Sequence, residues 1–274
     1  MLALIALYAA LVRLAFRRQL AYRTANLAGL ATNAFFGLLR ASLFIALFTS
    51  SSSAQTTSIS GYDLQMAASY TWVTQALIMV VNLWNWWDIE TTIRTGDVVT
   101  DLARPFSYLG YWLARDYGRA AYFALFRGLP GLLFGQLTFQ AGLRWPEGPV
   151  AWLLLLLSLS LAIAISFAWR FLLNISAFWT TDARGAGGLY GALVLFLGGF
   201  VVPLRFFPDW LQPLLFSLPF AGIIQIPTDI FVGRLGGLAA LEALATQALW
   251  ALLLLGLAQL TVVFAVRRVS VQGG

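Results

Sequence analysis

Arginine and carboxylate are the only ionised side chains available for chemistry here: all 17 basic residues are Arg, 11 are Asp or Glu, and Lys, His and Cys are absent. That inventory excludes much. Without Lys the GxxxxGK[ST] loop that cradles nucleotide phosphates cannot form, so the chain has no P-loop with which to hydrolyse ATP. Without His the HExxH zinc site and the usual imidazole base are missing, and without Cys there is no thiol chemistry and no disulfide. Carboxylate catalysis remains, but it wants two acids facing each other across a cavity. Instead, four of the acids, Asp88, Glu90, Asp97 and Asp101, crowd with Arg94 and Arg104 into residues 87–107, WDIETTIRTGDVVTDLARPFS.

The spacing within that stretch predicts two short helices. Glu90 and Arg94 stand at i,i+4 in the favourable order, so the preceding apolar helix is expected to run past the membrane surface. Gly96 supplies a stop and Asp97 an N-cap for a helix over 98–103. Pro105 ends it, because the residue before a proline avoids the helical region. Asp97, Asp101 and Arg104 would then face a groove on a soluble partner. A solvated turn whose charges merely keep it in water fits the same spacing.

The elements that must hold this loop are apolar. The chain is 60% hydrophobic and 10% charged, with a mean hydropathy of +0.81. Six windows, 27–48, 66–87, 118–139, 150–172, 187–203 and 243–266, suit a hydrocarbon core of ~30 Å, although the fifth is short and either extends into its flanks or is broken. Runs such as LLLLLSLSLAIAI do not alternate as barrel strands would. The expected fold is therefore an all-α polytopic membrane protein in one domain, 1–274.

Arginine positions orient it. With the N-terminus inside, Arg13, Arg17, Arg18, Arg23, Arg94, Arg104, Arg115, Arg119, Arg170, Arg184, Arg267 and Arg268 are cytoplasmic, whereas Arg144, Arg205 and Arg234 are outside. That bias places both termini and the 88–106 loop in the cytoplasm, with an inner (plasma) membrane location. The net charge of +6 thus reads as membrane orientation and not as nucleic-acid binding.

Three flanking regions complete the layout. Residues 1–24 place Leu4, Leu7, Leu11 and Leu14 on one stripe with arginines at its end, which predicts an interfacial helix; a signal peptide would carry its charge before the apolar run. The polar loop 50–63 is expected to be mobile. Region 203–240 is too apolar for a free loop and is cut by prolines at 203, 208, 213, 219 and 227, which predicts short re-entrant helices on the outer side. No internal repeat is evident.

Arg40 and Arg127 fall inside predicted spans, where a charge costs at least ~2.5 kcal/mol and tends to face a cavity, pair with an acid or snorkel. Asn33, Phe35, Phe36, Tyr70 and Trp72 are candidates to line a path for an amphipathic or cationic aromatic molecule, or else to pack between helices. Trp84, Trp86 and Trp87 suit an interfacial aromatic belt.

The segment IRTGDVVTDLARPFSYLGYWLARDYGR at 93–119 resembles the signature of ABC-2 type permeases of ABC transporters, in a branch related to antibiotic and viologen exporters. Ile93, Arg94, Gly96, Asp97, Leu102, Arg104 and Pro105 carry the match. FFPDWLQPLLFSLPF at 206–220 is similar to the family's extracellular run, and the Tyr22–Arg23 pair also fits, so the likeness extends over essentially the whole chain. The resemblance implies a six-span export permease that binds no cofactor itself. It would pair with a second permease, identical or homologous, and with two copies of a separate ATPase that holds ATP and Mg. Glu90, Arg94, Gly96, Asp97, Asp101, Arg104 and Pro105 would then form the ATPase-coupling element.

Two other functions stay open beside an exporter of hydrophobic or amphipathic molecules. One is a lipid or glycolipid exporter of the same fold, favoured by arginines at headgroup level. The other is an ion-coupled carrier or structural subunit needing no ATPase, favoured by intramembrane carboxylates, which the six windows lack.

Overall fold

The computed structural model describes residues 2–52, 58–84, 87–139, 142–180 and 184–267. Among these, regular structure is helical, and the sole β feature is an isolated bridge between Ile59 and Tyr62. Three helices are long and apolar enough to cross a membrane by length and composition, over Thr24–Thr49, Gly148–Phe178 and Gly237–Val266. They lie in α2 (Arg23–Ser52), α8 (Gly148–Ile175, prolonged by a 3-10 turn) and α12 (Gly237–Val266).

Helix α3 (Leu64–Val80) lies at the centre, with nearly every residue buried. Asp63 caps it, its Oδ1 accepting from Met66 N–H at 2.7 Å. The helix stops short of the expected 66–87. Asn82 adopts φ +51, and Leu83 N–H donates back to the Ile78 carbonyl at 3.1 Å, a left-handed ending that Asn tolerates and that satisfies a terminal carbonyl. So α4 (Asp88–Thr95) is a separate helix and not the prolongation of the second apolar window. Trp86 lies outside the described residues.

Helix α6 (Tyr108–Phe123) passes through a π turn (Ala124–Gly128) into α7 (Leu129–Thr138). The run from Tyr108 to Thr138 measures roughly 45 Å at 1.5 Å per residue. Pro130 has no N–H for the Phe126 carbonyl. At the residue just before it the ladder slips to the wider register, Leu129 N–H reaching the Ala124 carbonyl. α9 (Arg184–Leu197) is short, as its window suggested.

The N-terminal helix α1 (Leu2–Gln19) lies along α6, and its leucine stripe is covered only in part, at Leu7 and Leu11. Leu4 and Leu14 remain exposed while Ala15 is buried, and Gly118 lets the Val12 carbonyl come so close that a Cβ there would sit 2.2 Å away. The small residues win because only they admit backbone contact.

Region 203–240 breaks into a 3-10 turn (Leu204–Phe206), α10 (Gln212–Ser217) and α11 (Gln225–Phe231). Gln247 of α12 ties it to the bundle, donating to the carbonyls of Gly222 at 2.7 Å and Ser158 at 3.2 Å. The described end of the 50–63 loop is packed and not free: Tyr62 is fully buried.

Candidate functional site

The charged loop folds as α4, then Gly96 at φ +82, then α5 (Val98–Leu102). Gly96 accepts the left-handed conformation that ends α4 because it has no Cβ to clash. Beneath the loop, Ile89 and Val98 are buried in a cluster with Tyr108, Trp112, Phe171 and Val262. The pair is therefore anchored on the ends of α6, α8 and α12, contrary to a solvated turn. Its outer edge presents Arg94, Asp97, Val99, Thr100 and Pro105 to solvent.

The charges on this loop divide by burial. Glu90 is 2% exposed and pairs with Arg94 at 3.6 Å. Asp101 pairs with Arg104 at 3.1 Å, whose guanidinium also lies over the Tyr111 ring. Asp97 does not cap α5. Its backbone is helical and its side chain makes no cap bond; Oδ2 accepts from the Thr95 hydroxyl at 2.7 Å instead.

From α4 a chain of buried polar contacts leads inward. Glu90 N–H donates to Asn174 Oδ1 at 3.1 Å, and Asn174 Nδ2 donates to the Arg170 carbonyl at 2.8 Å. Arg170 Nη2 meets Asp116 Oδ2 at 2.7 Å, and Arg119 Nε meets Asp116 Oδ1 at 2.8 Å. Arg119 then donates to the carbonyls of Met79 and Val80, the last turn of α3, where a helix leaves carbonyls unpaired and its dipole favours a cation. The Ser166 hydroxyl takes the next carbonyl, Val81. Arg119 and Arg170, counted above as topology signals, are thus structural. Nothing in the local spacing announced the Asp116–Arg170 contact, although Asp116 and Arg119 at i,i+3 hinted at a pair.

Met79 also lines a cavity of about 440 Å³ between α2, α3, the π turn and α9. Of the path candidates, Asn33, Phe36, Arg40 and Arg127 line it. Arg40 donates to the Thr74 hydroxyl at 3.1 Å and to the Phe200 carbonyl, and its guanidinium sits 4.4 Å from the Phe200 ring centroid. Neither Arg40 nor Arg127 forms an ion pair among the described residues, and of the three placements open to them both line the cavity. The other candidates lie elsewhere. Phe35 is exposed beside the cavity. Trp72 is packed between Gly37 and Gly135, where a Cβ on either would lie 2.5 Å from its ring. The Tyr70 hydroxyl donates to the Gly199 carbonyl and lies 2.6 Å from Gln225 Oε1.

Sequence reasoning missed a second buried network, which meets Tyr70 at Gln225. Tyr62 donates to Asp229 Oδ1 at 2.9 Å and accepts from Gln225 Nε2 at 3.1 Å. Burial pushes the Asp229 carboxyl above the usual carboxylate range, and burial next to that carboxylate pushes the Tyr62 hydroxyl up as well. Prolines mark this region in sequence, but nothing there says that Asp229 points inward.

The described residues hold no group of acids, histidines or cysteines suited to a metal ion. No curated protein matches the chain. A family model described as ABC-2 family transporter protein matches residues 37–273, which leaves α1 and the Tyr22–Arg23 pair outside the matched region. The chain therefore belongs to the ABC-2 family of membrane transport proteins.

Proposed function

We propose that this chain is the permease subunit of an ABC exporter. In this reading the six spans are α2, α3, α6 with α7, α8, α9 and α12, and both termini face the cytoplasm of a plasma membrane. The permease pairs with an identical or homologous copy and with two copies of a separate ATPase that binds ATP and Mg. The outer edge of α4–α5 receives the ATPase, and the cavity beside α2 receives a hydrophobic or amphipathic substrate.

One observation carries this reading: the exposed loop edge is joined to the cavity through Asn174, Arg170, Asp116 and Arg119. Movement of α4 under a closing ATPase would pull on α8, and the buried ion pairs would pass it to the end of α3, where Met79 borders the cavity. The absence of Lys agrees with hydrolysis on another subunit. The test is purification with the companion ATPase. We expect a stable complex whose nucleotide hydrolysis resides in the ATPase, and none by the permease alone. Hydrolysis by the isolated chain, or transport that persists without any ATPase, would overturn the reading.

A further inference from the structure

The cavity between α2, α3, the π turn and α9 has apolar walls but two cations. Arg40 and Arg127 both line it, and no carboxylate does so among the described residues. Arg127 is 8% exposed, and its Nε has no hydrogen-bond partner. Its guanidinium lies against Gly29 of α2, and among the described residues its charge is met only by the Phe123 ring, 5.5 Å from the guanidinium carbon to the ring centroid. Arg40 has a hydroxyl, a carbonyl and a ring, all neutral. Two desolvated guanidinium groups in one apolar cavity are costly unless an anion completes them. A cationic aromatic molecule would make that balance worse.

We infer that this cavity is a binding site for an amphiphile with an anionic headgroup, taken by Arg127 or by Arg40 with its tail against Phe36, Ile78 and Leu195. Gly29, which marks Arg127, and Arg40 are separated on α2 by roughly 16 Å of helix rise. The two cations are therefore successive stations for one headgroup and not a single pincer. Arg127, with no polar partner among the described residues and its Nε buried without a hydrogen bond, is the stronger station. The inference rests on the export reading for its role, but binding itself requires neither ATPase nor nucleotide.

The test is therefore equilibrium binding to the full-length permease in a neutral detergent at low salt. The probes are 11-(dansylamino)undecanoate and its uncharged primary amide, at a pH of about 9 where the carboxyl is ionised. We expect the carboxylate to bind about tenfold or more tightly than the amide, as a charge-assisted contact implies. Arg127→Gln with Arg40→Gln should abolish that preference, while Arg127→Lys with Arg40→Lys should keep most of it. Dodecyl phosphate should displace the probe and inorganic phosphate at equal concentration should not. Equal affinity for carboxylate and amide in the wild type, which needs no variant, would overturn the proposal. So would a preference that survives in a folded double Gln variant. Displacement by inorganic phosphate would give the site to a free anion instead. Each of these failures leaves ATPase assembly, measured separately, untouched.

Discussion

Arg170 of α8 places its Nη2 2.7 Å from Asp116 Oδ2 of α6, with both side chains essentially excluded from solvent. The second oxygen of the same carboxylate meets Arg119, so one anion serves two cations between three helices. Asp116→Asn keeps the shape and removes the charge, stranding two buried guanidinium groups. Removing one partner of a buried pair costs ~3–5 kcal/mol. We expect a marked fall in the thermal unfolding midpoint of the purified protein. Arg170→Met added to Asp116→Asn should cost less than the sum of the two single changes. Full additivity would show that the contact is not energetically coupled.

The link from loop to bundle is separable from this pair. Asn174→Ala leaves Glu90 N–H without the acceptor it has at 3.1 Å, a loss of ~1–3 kcal/mol for a buried donor. With the remaining contacts of α4 intact, the complex should still assemble, but transport per ATP hydrolysed should fall. Unchanged coupling would detach Asn174 from the proposed route.

How much of this arrangement the sequence discloses depends on the range of each contact. Gly96 could be read as a stop because a positive φ narrows the choice of residue at that point. The end of α3 was hidden, since hydropathy runs on through VVNLWNWW and only Asn82 marks the left-handed turn. Arg40 and Arg127 stood out singly by the cost of charge in lipid. That they share one cavity depends on α2 crossing the π turn at Gly29, a tertiary fact. The Asp116–Arg170 contact joins positions far apart in the chain, and no local period encodes it. For Tyr70 and Trp72 the sequence offered two readings, path or packing, and the close glycines around Trp72 and the Gly199 carbonyl that takes the Tyr70 hydroxyl are long-range contacts that no local pattern encodes.

Val99 tests the docking surface. It is 41% exposed on α5 beside the charged edge, while Val98 next to it holds the helix down. Val99→Glu should leave insertion and thermal stability unchanged and weaken ATPase binding roughly tenfold, the effect of an uncompensated charge in a closed interface. Asp97→Ala with Arg104→Ala should weaken it too, with little cost in stability, because the Asp101–Arg104 pair is partly exposed and such pairs contribute little. Wild-type ATPase affinity in both variants would return the edge to a merely solvated role.

Asp229 sets a pH dependence. Its carboxyl is raised by burial, so the stability it contributes is full below the unfolded carboxylate value of about 3.9 and is lost as pH rises through the higher folded value. Asp229→Asn keeps an acceptor for the Tyr62 hydroxyl without the charge. The variant should therefore gain stability relative to wild type as pH rises, read as unfolding midpoints across a pH series. A constant difference at every pH would mean that the carboxyl binds its proton equally in the folded and unfolded chain, against a value raised by burial.

Orientation can be measured cleanly, because the chain has no Cys and any single introduced thiol is the only one. Val99→Cys, on the proposed cytoplasmic loop, should react with a membrane-impermeant maleimide only after the membrane is opened. Trp210→Cys should react in intact cells, since Trp210 is 77% exposed and lies between α9 and α12 on the proposed outer side. The two sites are separated by three of the six proposed spans, α6 with α7, α8 and α9, so their relative sidedness tests the span count as well as the orientation. Labelling of both thiols from one side would require an even number of crossings between them. α9, with 14 residues, is the helix whose crossing would then be withdrawn, because roughly 21 Å of helix falls short of a ~30 Å core unless its flanks complete the passage.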